Sequence, residues 1–533
     1  MWNSIIRNRS LQNYPVTLML PGTRLMATLT RSDAILGMLD CCLPCAFGRR
    51  TSLWVNDHAL QNDTLFGAPL VQPIYLVEAQ SPPMIHGLDV AGGPRLIQYC
   101  SVPDVRTQRM SASNQVDRTG TKPSLVGQVP GLAYLVSTYS GVSMVFVSRE
   151  VLQLRELGFR IDVASINPPD RPISDLTAME AAEAKRTYCI KADGMAAAIV
   201  AHLRTAVKEP RGYFRGFLWA VRLGVFDLRR LFFNLMYFTE ALMVGTWMKR
   251  KQHRHLHVHL GSQAATVGLF VHHVFGFGFS ITFHGPDEFY DAKGQYLEQK
   301  IAAADFICCI SSFARSQLMM LSPYAHWDKF IVSRVGIDTQ VFSPRPGSLP
   351  RNYFEILCIG RLTPAKGQHL LIEAVDLLER QGRHVRLHLA GQGPDEPSLR
   401  EHAAKIGNPS CLVFEGPVDQ DGICALYAAA DLFCLPSFAE GIPCVLMEAM
   451  AMEIPCVTTN ITGIPELIRD GIDGLLVAPA DLDGLVEALA KMMDDQSLRK
   501  QIAKNGRIRI LERHDLRRNA EELAAIFLER AKG

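Results

Sequence analysis

The feature that most constrains the fold of this chain is a repeated alternation of short apolar strands with amphipathic helices. An apolar strand pattern begins at Leu132, residues 145–157 carry apolar side chains at helical spacing, and residues 160–166 are again a strand pattern. Such a strand-helix-strand unit is typical of a parallel sheet. Further strand patterns follow at 255–260, 279–283, 306–310 and 330–335.

A second series of the same kind begins at Phe354. Its strand patterns are 354–360, 385–390, 411–414, 432–435, 455–458 and 474–477. Its helical patterns are 368–381, 396–406, 422–430 and 482–493. Two successive series in a chain of 533 residues predict an α/β protein with two doubly wound Rossmann-like domains. Because ligands of such sheets bind beyond the carboxyl ends of the strands, the cleft between the domains is the expected site.

These patterns divide the chain into four parts. Residues 1–128 form an N-terminal extension without sustained periodicity, poorly ordered or irregular, and translation from an internal Met such as Met84 or Met110 is an alternative explanation for it. The first Rossmann-like domain is predicted over 129–345 and the second over 346–515. The last part, 516–533, has the apolar spacing of a helix.

One segment is both basic and apolar. Between His202 and Arg254, eleven Lys or Arg residues stand against three acidic ones, interleaved with large apolar side chains. Its most apolar part, 231–247, barely reaches the minimum length of a membrane span and contains Asn234 and Glu240, so we do not expect it to cross a bilayer. Two interpretations stay open: a basic amphipathic face resting on an anionic membrane surface, and an ordinary helix with a solvated basic side.

Cysteine usage and the N-terminus indicate the compartment. The thirteen cysteines lie mostly in apolar runs, as reduced core residues of a cytosolic protein do, and the Cys42 and Cys45 pair has no second pair to complete a metal site. The N-terminus lacks the layout of a secretory signal. We expect a cytoplasmic protein without a nucleic-acid partner, peripheral on the inner face of the plasma membrane if the basic segment binds lipid.

Two glutamates eight positions apart mark a site in the second series. Glu440 precedes a helical run, and Glu448 lies within it among apolar residues, where a carboxylate is costly to bury unless a group such as a sugar hydroxyl hydrogen-bonds to it. Pro443 suits the first helical position. The free amides near Gly441 and Ile442 would then lie at a helix N-terminus, which attracts a phosphate.

Two cations follow the first strand of the second series. Arg361 and Lys366 stand in the stretch 360–367, between that strand and the next helix. Beside a helix start at the cleft they suit a diphosphate such as a nucleotide-activated substrate carries. Solvated loop charges are the alternative.

Together these motifs resemble the retaining GT-B glycosyltransferases of the large group 1 family, family 4. The resemblance is carried by G-R-L-x-x-x-K-G at 360–367, Gly391-Gln-Gly-Pro394, Glu415-Gly-Pro-Val418 and the paired glutamates, and it extends over roughly residues 130–533. It implies the GT-B fold, in which a donor domain and an acceptor domain face a cleft. It also implies that the helix in 516–533 crosses back to the first, acceptor domain.

The resemblance assigns the donor site. Arg361 and Lys366 would hold the diphosphate, together with the amides of Gly441 and Ile442. Glu448 would hold the ribose hydroxyls, and the backbone around Val418 would hold the base.

The resemblance also assigns two catalytic residues. His284, which ends a strand directly before a glycine, matches the histidine with which the family contacts the transferred sugar. Glu440 would lie against the same sugar and need not be a covalent nucleophile. Residues 139–144 depart from the family's pattern, so the acceptor contacts stay open.

Alternation places His255, His257 and His259 on one face of a strand, which is a metal-like arrangement. The resemblance argues against a metal, because the family neutralises its diphosphate with Arg, Lys and a helix dipole. We therefore expect no metal and no cofactor, the nucleotide-sugar being a substrate.

The function expected is transfer of a sugar from a nucleotide diphosphate to a hydroxyl acceptor, with retention at the anomeric carbon, in polysaccharide or glycolipid biosynthesis. The acceptor would be a saccharide or a lipid-linked one. Three alternatives have the same architecture: a nucleotide-sugar epimerase, a phosphorylase, and a non-catalytic protein that binds sugar nucleotides. The two enzymes would need an added acid-base constellation or a pyridoxal lysine, and neither is evident in the sequence.

Overall fold

The computed structural model of the protein describes residues 16–19, 26–29, 131–139, 141, 144–344, 352–418 and 420–531. Within residues 1–128 it describes one antiparallel pair of strands, Val16–Met19 with Met26–Leu29. The remaining predictions for that region, including the Cys42 and Cys45 pair and the internal methionines, lie outside the described residues. From residue 131 onward the described residues belong to one compact unit.

The first domain contains a parallel sheet of seven described strands. In sheet order they are Tyr188–Cys189, Ile161–Asn167, Leu132–Thr138, His255–His259, Gly278–Phe283, Phe306–Cys309 and Phe330–Val332. The predicted strands of the first series are all present, with ends shifted by a few residues. Their side chains are buried on both faces, as expected of a parallel sheet with helices on either side.

The second domain contains a parallel sheet of six described strands. In sheet order they are Leu412–Gly416, Val385–Ala390, Phe354–Ile359, Leu432–Leu435, Cys456–Thr459 and Leu475–Val477. Chain order reverses at the Phe354–Ile359 strand, so the crevice beside its carboxyl end is the topological switch point at which such sheets bind ligands.

Helices cover both sheets. In the first domain they are Val145–Glu156, Ala178–Arg186, Gly194–Lys208, Pro210–Gly224, Leu228–Lys251, Gln263–Phe275, Leu297–Ala303 and Ser312–Met320. In the second they are Gln368–Arg380, Glu396–Ala403, Gln420–Ala429, Cys444–Ala451, Ile464–Leu467, Leu482–Asp494 and Gln496–Arg513, and Leu516–Arg530 ends the described chain. No described helix is both long enough and apolar enough for a membrane span.

The basic and apolar segment folds into three consecutive helices of the first domain. Gly194–Lys208, Pro210–Gly224 and Leu228–Lys251 pack on one another, and Phe238 joins the core beneath them. Many of their apolar side chains are exposed, and Phe226, in the turn between the second and third helices, is fully so. We call this group the helical arm.

The last helix returns to the first domain. Leu516–Arg530 packs against Val145–Glu156, and Phe527 is fully buried beside the ring of Tyr134. Just before this helix, the Ile337 N–H donates to the His514 carbonyl, and the Leu516 N–H donates to the Ile337 carbonyl. The chain thus passes between the two domains twice, and the two passages are bonded to each other.

Candidate functional site

The carboxyl ends of the two sheets approach each other at Gly441. A Cβ at this position would lie 1.9 Å from the His284 carbonyl oxygen, so only glycine allows the two backbones to come this close. On the other side, a Cβ at Gly463 would lie 2.4 Å from the Gly441 carbonyl oxygen. The residues to which the resemblance assigns the donor sugar, His284 and Glu440, are therefore at or next to the contact between the two domains.

Glu440 and Lys366 form one cluster at this contact. Lys366 Nζ lies 2.5 Å from Glu440 Oε1, which also accepts a hydrogen bond of 2.7 Å from the Ser437 hydroxyl. The Glu440 carbonyl accepts from Thr462 Oγ1. Glu440 is buried and Lys366 partly so. One predicted phosphate-binding cation and one predicted sugar-binding carboxylate are thus paired with each other.

The helix after Glu440 starts one residue later than predicted. Pro443 is its N-cap residue, with ψ of 122° in the extended region, and the first helical residue is Cys444. The amides of Gly441 and Ile442 therefore precede the helix and belong to the loop that enters it. They remain next to Glu440 and next to the first domain.

Glu448 is buried on the same helix and has two partners. Arg149 Nη1, from the first domain, lies 3.3 Å from Oε1, and the Tyr427 hydroxyl donates to Oε2 over 3.2 Å. Burial raises the pKa of Glu448, and Arg149 and Tyr427 oppose that rise. The expected partners of Glu448 were sugar hydroxyls. Sequence reasoning missed Arg149 and Tyr427, because neither lies in a motif next to Glu448 in the chain.

The other predicted donor residues lie at strand ends of the second sheet. Arg361 follows the Phe354–Ile359 strand and is exposed, and its side chain has no hydrogen bond or ion pair with the described residues. Val418 follows the Leu412–Gly416 strand and is half-buried. Between them, Gly391 adopts φ of 136°, and a Cβ there would lie 2.0 Å from the Gly360 carbonyl oxygen. These glycines let neighbouring strand ends pack closely.

The His284 loop is organised by a buried carboxylate. Glu288 Oε2 accepts from the backbone N–H of His284 at 2.5 Å and of Gly285 at 2.9 Å, and Oε1 accepts from the Gly261 N–H. Burial raises the pKa of Glu288, and these N–H donors oppose the rise. Lys300, itself buried, donates to the Gly261 carbonyl over 2.7 Å. Glu288 lies four residues after His284, but nothing in the sequence there distinguishes it from a solvated loop charge.

The three alternating histidines share one buried face of their strand. The Ser280 hydroxyl lies 2.8 Å from both His255 Nε2 and His257 Nδ1, and the Thr282 hydroxyl lies 3.0 Å from His257 Nε2. Burial lowers the pKa of His255 to about 4 and that of His257 well below its ordinary value, so both rings are neutral.

One group of side chains on this face has the spacing of a metal site. Ligand atoms of Glu150, His257 and His259 lie within 4.8 Å of one another. Each ring nitrogen of the two histidines has a hydrogen-bond partner. His257 is bonded to the Ser280 and Thr282 hydroxyls. His259 Nδ1 lies 2.9 Å from His284 Nε2, and His259 Nε2 lies 3.2 Å from Glu150 Oε1. The expectation of a metal-independent protein stays a prediction.

The side chains and amides of this cluster can bind an anion and hydroxyl groups. Lys366, Arg361 and the loop amides can hold an anion, because charged donors and free N–H groups bind phosphate oxygens. Glu448 and Glu440 can accept hydrogen bonds from hydroxyls. His284 adds a ring from the opposite domain.

The second domain matches a known family. Residues 342–509 match the family described as glycosyl transferases group 1. The chain is 40% identical over 169 residues to the "Putative colanic acid biosynthesis glycosyltransferase WcaL" of Escherichia coli (strain K12), covering 31% of this chain and 42% of that protein. It is 28% identical over 240 residues to the "GDP-mannose-dependent alpha-(1-6)-phosphatidylinositol monomannoside mannosyltransferase" of Mycolicibacterium smegmatis, covering 42% of this chain and 62% of that protein. These matches span less than two thirds of either relative's length.

Solved structures extend the likeness to both domains. A sucrose-phosphate synthase from Thermosynechococcus elongatus superposes with a TM-score of 0.58 at 18% identity, over 75% of this chain and 98% of the other. Anabaena Alr3699/HepE in complex with UDP superposes with a TM-score of 0.56 at 16% identity, over 75% and 100%. Identities this low establish the fold alone, which is the predicted GT-B architecture. The chain therefore has the GT-B fold, and its residues 342–509 match the glycosyl transferases of group 1.

Proposed function

We propose that this protein transfers a sugar from a nucleotide diphosphate donor to a hydroxyl of a saccharide or lipid-linked acceptor, with retention at the anomeric carbon, in polysaccharide or glycolipid assembly. The observation that carries this proposal is the cluster at the domain contact, where Lys366, Glu440 and the amide of Gly441 meet His284. The likeness to a putative glycosyltransferase of colanic acid biosynthesis supports polysaccharide assembly as the pathway class.

The donor would bind mainly to the second domain. Its diphosphate would lie on Arg361, Lys366 and the amides of Gly441 and Ile442, which leaves Glu440 free to turn toward the sugar. Alr3699/HepE, which shares this fold, was solved with UDP-glucose, which makes a nucleotide-sugar the natural donor class to test.

The base and ribose would lie deeper in the same crevice. The ribose hydroxyls would bond to Glu448, and the base would lie against the backbone around Val418. Arg149 and Tyr427 each already bond one oxygen of Glu448, so the ribose hydroxyls would share that carboxylate with both partners.

In the transfer step the bond between the anomeric carbon and the diphosphate oxygen breaks, and a bond from that carbon to the acceptor oxygen forms on the same face. The departing phosphate oxygen takes the proton of the acceptor hydroxyl. Negative charge grows on the diphosphate during this step, and Arg361, Lys366 and the loop amides stabilise it. Glu440 and His284 position the sugar. The step uses no metal in this proposal.

The experiment that tests this function starts from a donor screen. UDP-, GDP- and ADP-sugars would be tested for binding by thermal shift, and the binders for hydrolysis and for transfer to saccharide and lipid-linked acceptors. Lys366→Ala and Arg361→Ala should each lower kcat/KM by on the order of 100-fold, since each removes a charge that stabilises the transition state. Lys405→Ala, which removes an exposed lysine paired with Glu401, is the matched control.

The screen also separates the alternatives. A nucleotide-sugar that binds but is neither transferred nor hydrolysed would make the protein a binding module, and conversion of the free donor to its epimer would make it an epimerase. Unchanged kinetics in both the Lys366 and the Arg361 variants would contradict the assignment of the diphosphate site.

We further propose that the helical arm rests on an anionic membrane surface. Phe226 and Leu228 are 101% and 83% exposed at the turn of the arm, and Arg222, Arg229 and Arg230 flank them. Exposed apolar side chains beside cations are the composition of an interfacial membrane contact. The protein would then work at the membrane that carries its acceptor.

A cavity beside the first turns of the Leu228–Lys251 helix supports a lipid-linked acceptor. Its volume is about 160 Å³, and it is lined by Arg230, Asn234, Gln263 and Tyr296, among others. Gln263 begins the helix that follows the His255–His259 strand. The cavity therefore lies toward the carboxyl ends of the strands, as His284 does. Asn234 is fully buried, and its Oδ1 has no hydrogen-bond partner among the described residues, which leaves an acceptor for a ligand hydroxyl.

A further inference from the structure

A chain of hydrogen bonds inside the first domain ends on His284. The Tyr134 hydroxyl donates to Glu150 Oε1 over 2.8 Å, and the same oxygen lies 3.2 Å from His259 Nε2. The other ring nitrogen of His259, Nδ1, lies 2.9 Å from His284 Nε2. His259 and Tyr134 are buried, and Glu150 is partly so. These hydrogen bonds therefore connect Glu150, on the Val145–Glu156 helix, to the histidine at the domain contact.

The order of donors and acceptors along this chain follows from Glu150. An ionised carboxylate only accepts, so His259 Nε2 must carry a proton. In a neutral His259 the other nitrogen, Nδ1, then has a lone pair and accepts from His284 Nε2. We propose that Glu150 and His259 are positioning residues, which fix the proton of His284 on Nε2 and leave its Nδ1 as a hydrogen-bond acceptor for a substrate hydroxyl.

Four further observations agree with this assignment. Burial lowers the pKa of His284 well below its ordinary value, so the ring carries one proton and the two nitrogens have opposite roles. Burial likewise raises the pKa of Tyr134, which keeps its hydroxyl a donor to Glu150. The Phe146 ring lies 4.6 Å from the His284 ring, centroid to centroid, and limits its rotation. Among the described residues, no hydrogen-bond partner is found for His284 Nδ1.

The proposal rests on the function proposed above for the identity of the hydroxyl, which belongs to the donor sugar or to the acceptor. It does not depend on that function for the placement of the proton. A neutral histidine that accepts from a hydroxyl holds the substrate in one orientation, and it would not serve as the general acid of the reaction.

Long-range ¹H–¹⁵N NMR of the full-length protein, labelled with ¹⁵N in histidine, tests the proton placement directly. It distinguishes protonated from unprotonated ring nitrogens, and the signals lost in His284→Asn identify those of His284. In the unaltered protein at about pH 7 we expect the proton on Nε2. A proton on Nδ1, or on both nitrogens, overturns the proposal, and the proton placement itself is read in the unaltered protein.

Two variants then test the role of the chain. His259→Leu removes the acceptor of the Nε2 proton, and Glu150→Leu removes the acceptor that orients His259. Both should give His284 a mixture of tautomers and lower kcat on the order of 10- to 100-fold, the range found where partners that orient metal-bound histidines are lost. The Kd of the nucleotide should stay the same, because the nucleotide lies on the other domain.

Glu156→Gln, an exposed change at the end of the same helix, is the control and should alter neither tautomer nor kcat. An unchanged His284 tautomer with unchanged kcat in folded His259→Leu overturns the positioning role. If the unaltered protein transfers no sugar while its His284 proton lies on Nε2, the proposed function fails and the proton placement stands.

Discussion

Glu440 and Glu448 show how two identical side chains on one stretch of chain acquire different tasks. Glu440 pairs with Lys366 of its own domain, whereas Glu448 pairs with Arg149 of the other domain and with Tyr427. The apolar neighbours of Glu448 already set it apart in the sequence, and the family resemblance assigns Glu448 to the ribose and Glu440 to the transferred sugar. The structure adds Arg149, which the sequence could not place because its partner is 299 positions away.

Replacing each glutamate with glutamine should separate binding from transfer. Glu448→Gln removes charged hydrogen bonds to the proposed ribose, worth about 1.5–3 kcal/mol, so the nucleotide should bind on the order of 10- to 100-fold more weakly. Glu440→Gln should mainly lower kcat, because its partner is the proposed sugar. Calorimetric Kd values and steady-state kinetics measure the two effects. Loss of donor affinity alone in both variants would show that Glu440 has been misassigned.

At the scale of elements, one carboxylate joins the two domains by capping a helix. Glu466, at the Ile464–Leu467 helix of the second domain, accepts from the Ser312 and Phe313 N–H groups, each over 2.8 Å. These are free amides at the start of the Ser312–Met320 helix, which would otherwise lack partners. Nothing in the local sequence at either position signals the contact, since helix caps usually come from the preceding residue.

Glu466→Ala should expose this helix start. Loss of a cap costs about 0.5–2 kcal/mol, so amide hydrogen exchange at residues 312 and 313 should accelerate on the order of 10-fold, with a smaller effect elsewhere. Asp495→Ala, which removes a cap within the second domain, is the matched change and should leave residues 312 and 313 unaffected. Equal exchange rates at 312 and 313 in Glu466→Ala and in the unaltered protein would argue that the contact contributes nothing in solution.

The loop before the last helix should respond to acid through His514. Burial lowers the pKa of His514 to about 4, against an ordinary 6.5, so the unfolded chain binds a proton that the folded chain does not. Stability is therefore lost as pH falls from about 6.5 towards 4, by about 2 kcal/mol between pH 7 and pH 5 for this one ring. In urea denaturation, His514→Gln should reduce the fall between these pH values by that amount. His384→Gln, at an exposed histidine, should not.

The helices and strands that the sequence located well are those whose apolar residues recur at a clear helical or strand period. The strands of both sheets and most helices of the second domain have clean apolar periods, so the sequence located them to within a few residues. The helical arm carries large apolar side chains on its solvent face as well as its core face, as the exposed Phe214 and Phe232 show, and that mixture hides the helical period. The short Tyr188–Cys189 strand depends on pairing with Ile161–Asn167, which no local pattern encodes.

At the scale of the whole molecule, the helical arm predicts where the protein attaches to a membrane. Changing Arg222, Arg229 and Arg230 to Gln should reduce binding to vesicles with anionic lipid by about 3 kcal/mol, at roughly 1 kcal/mol per cation. Sedimentation with vesicles of phosphatidylglycerol and phosphatidylcholine measures this, and added salt should weaken binding of the unaltered protein.

The far end of the same helix supplies the control for that prediction. Lys249 and Lys251 pair with Glu209 and Asp162, so changing them to Gln should have little effect on vesicle binding. Equal partition of the Arg222, Arg229 and Arg230 variant and the unaltered protein would remove the helical arm as the lipid contact.

The two bonded passages of the chain between the domains have a mechanical consequence. A single linker would allow one domain to swivel freely on the other. Here the bonds of Ile337 to His514 and Leu516 hold two linkers side by side. Such a pair would resist twisting of one domain against the other but would still allow a hinge motion between them. Opening and closing of the cleft between the domains would then follow one path, and each closure would bring Gly441 back into contact with the His284 backbone.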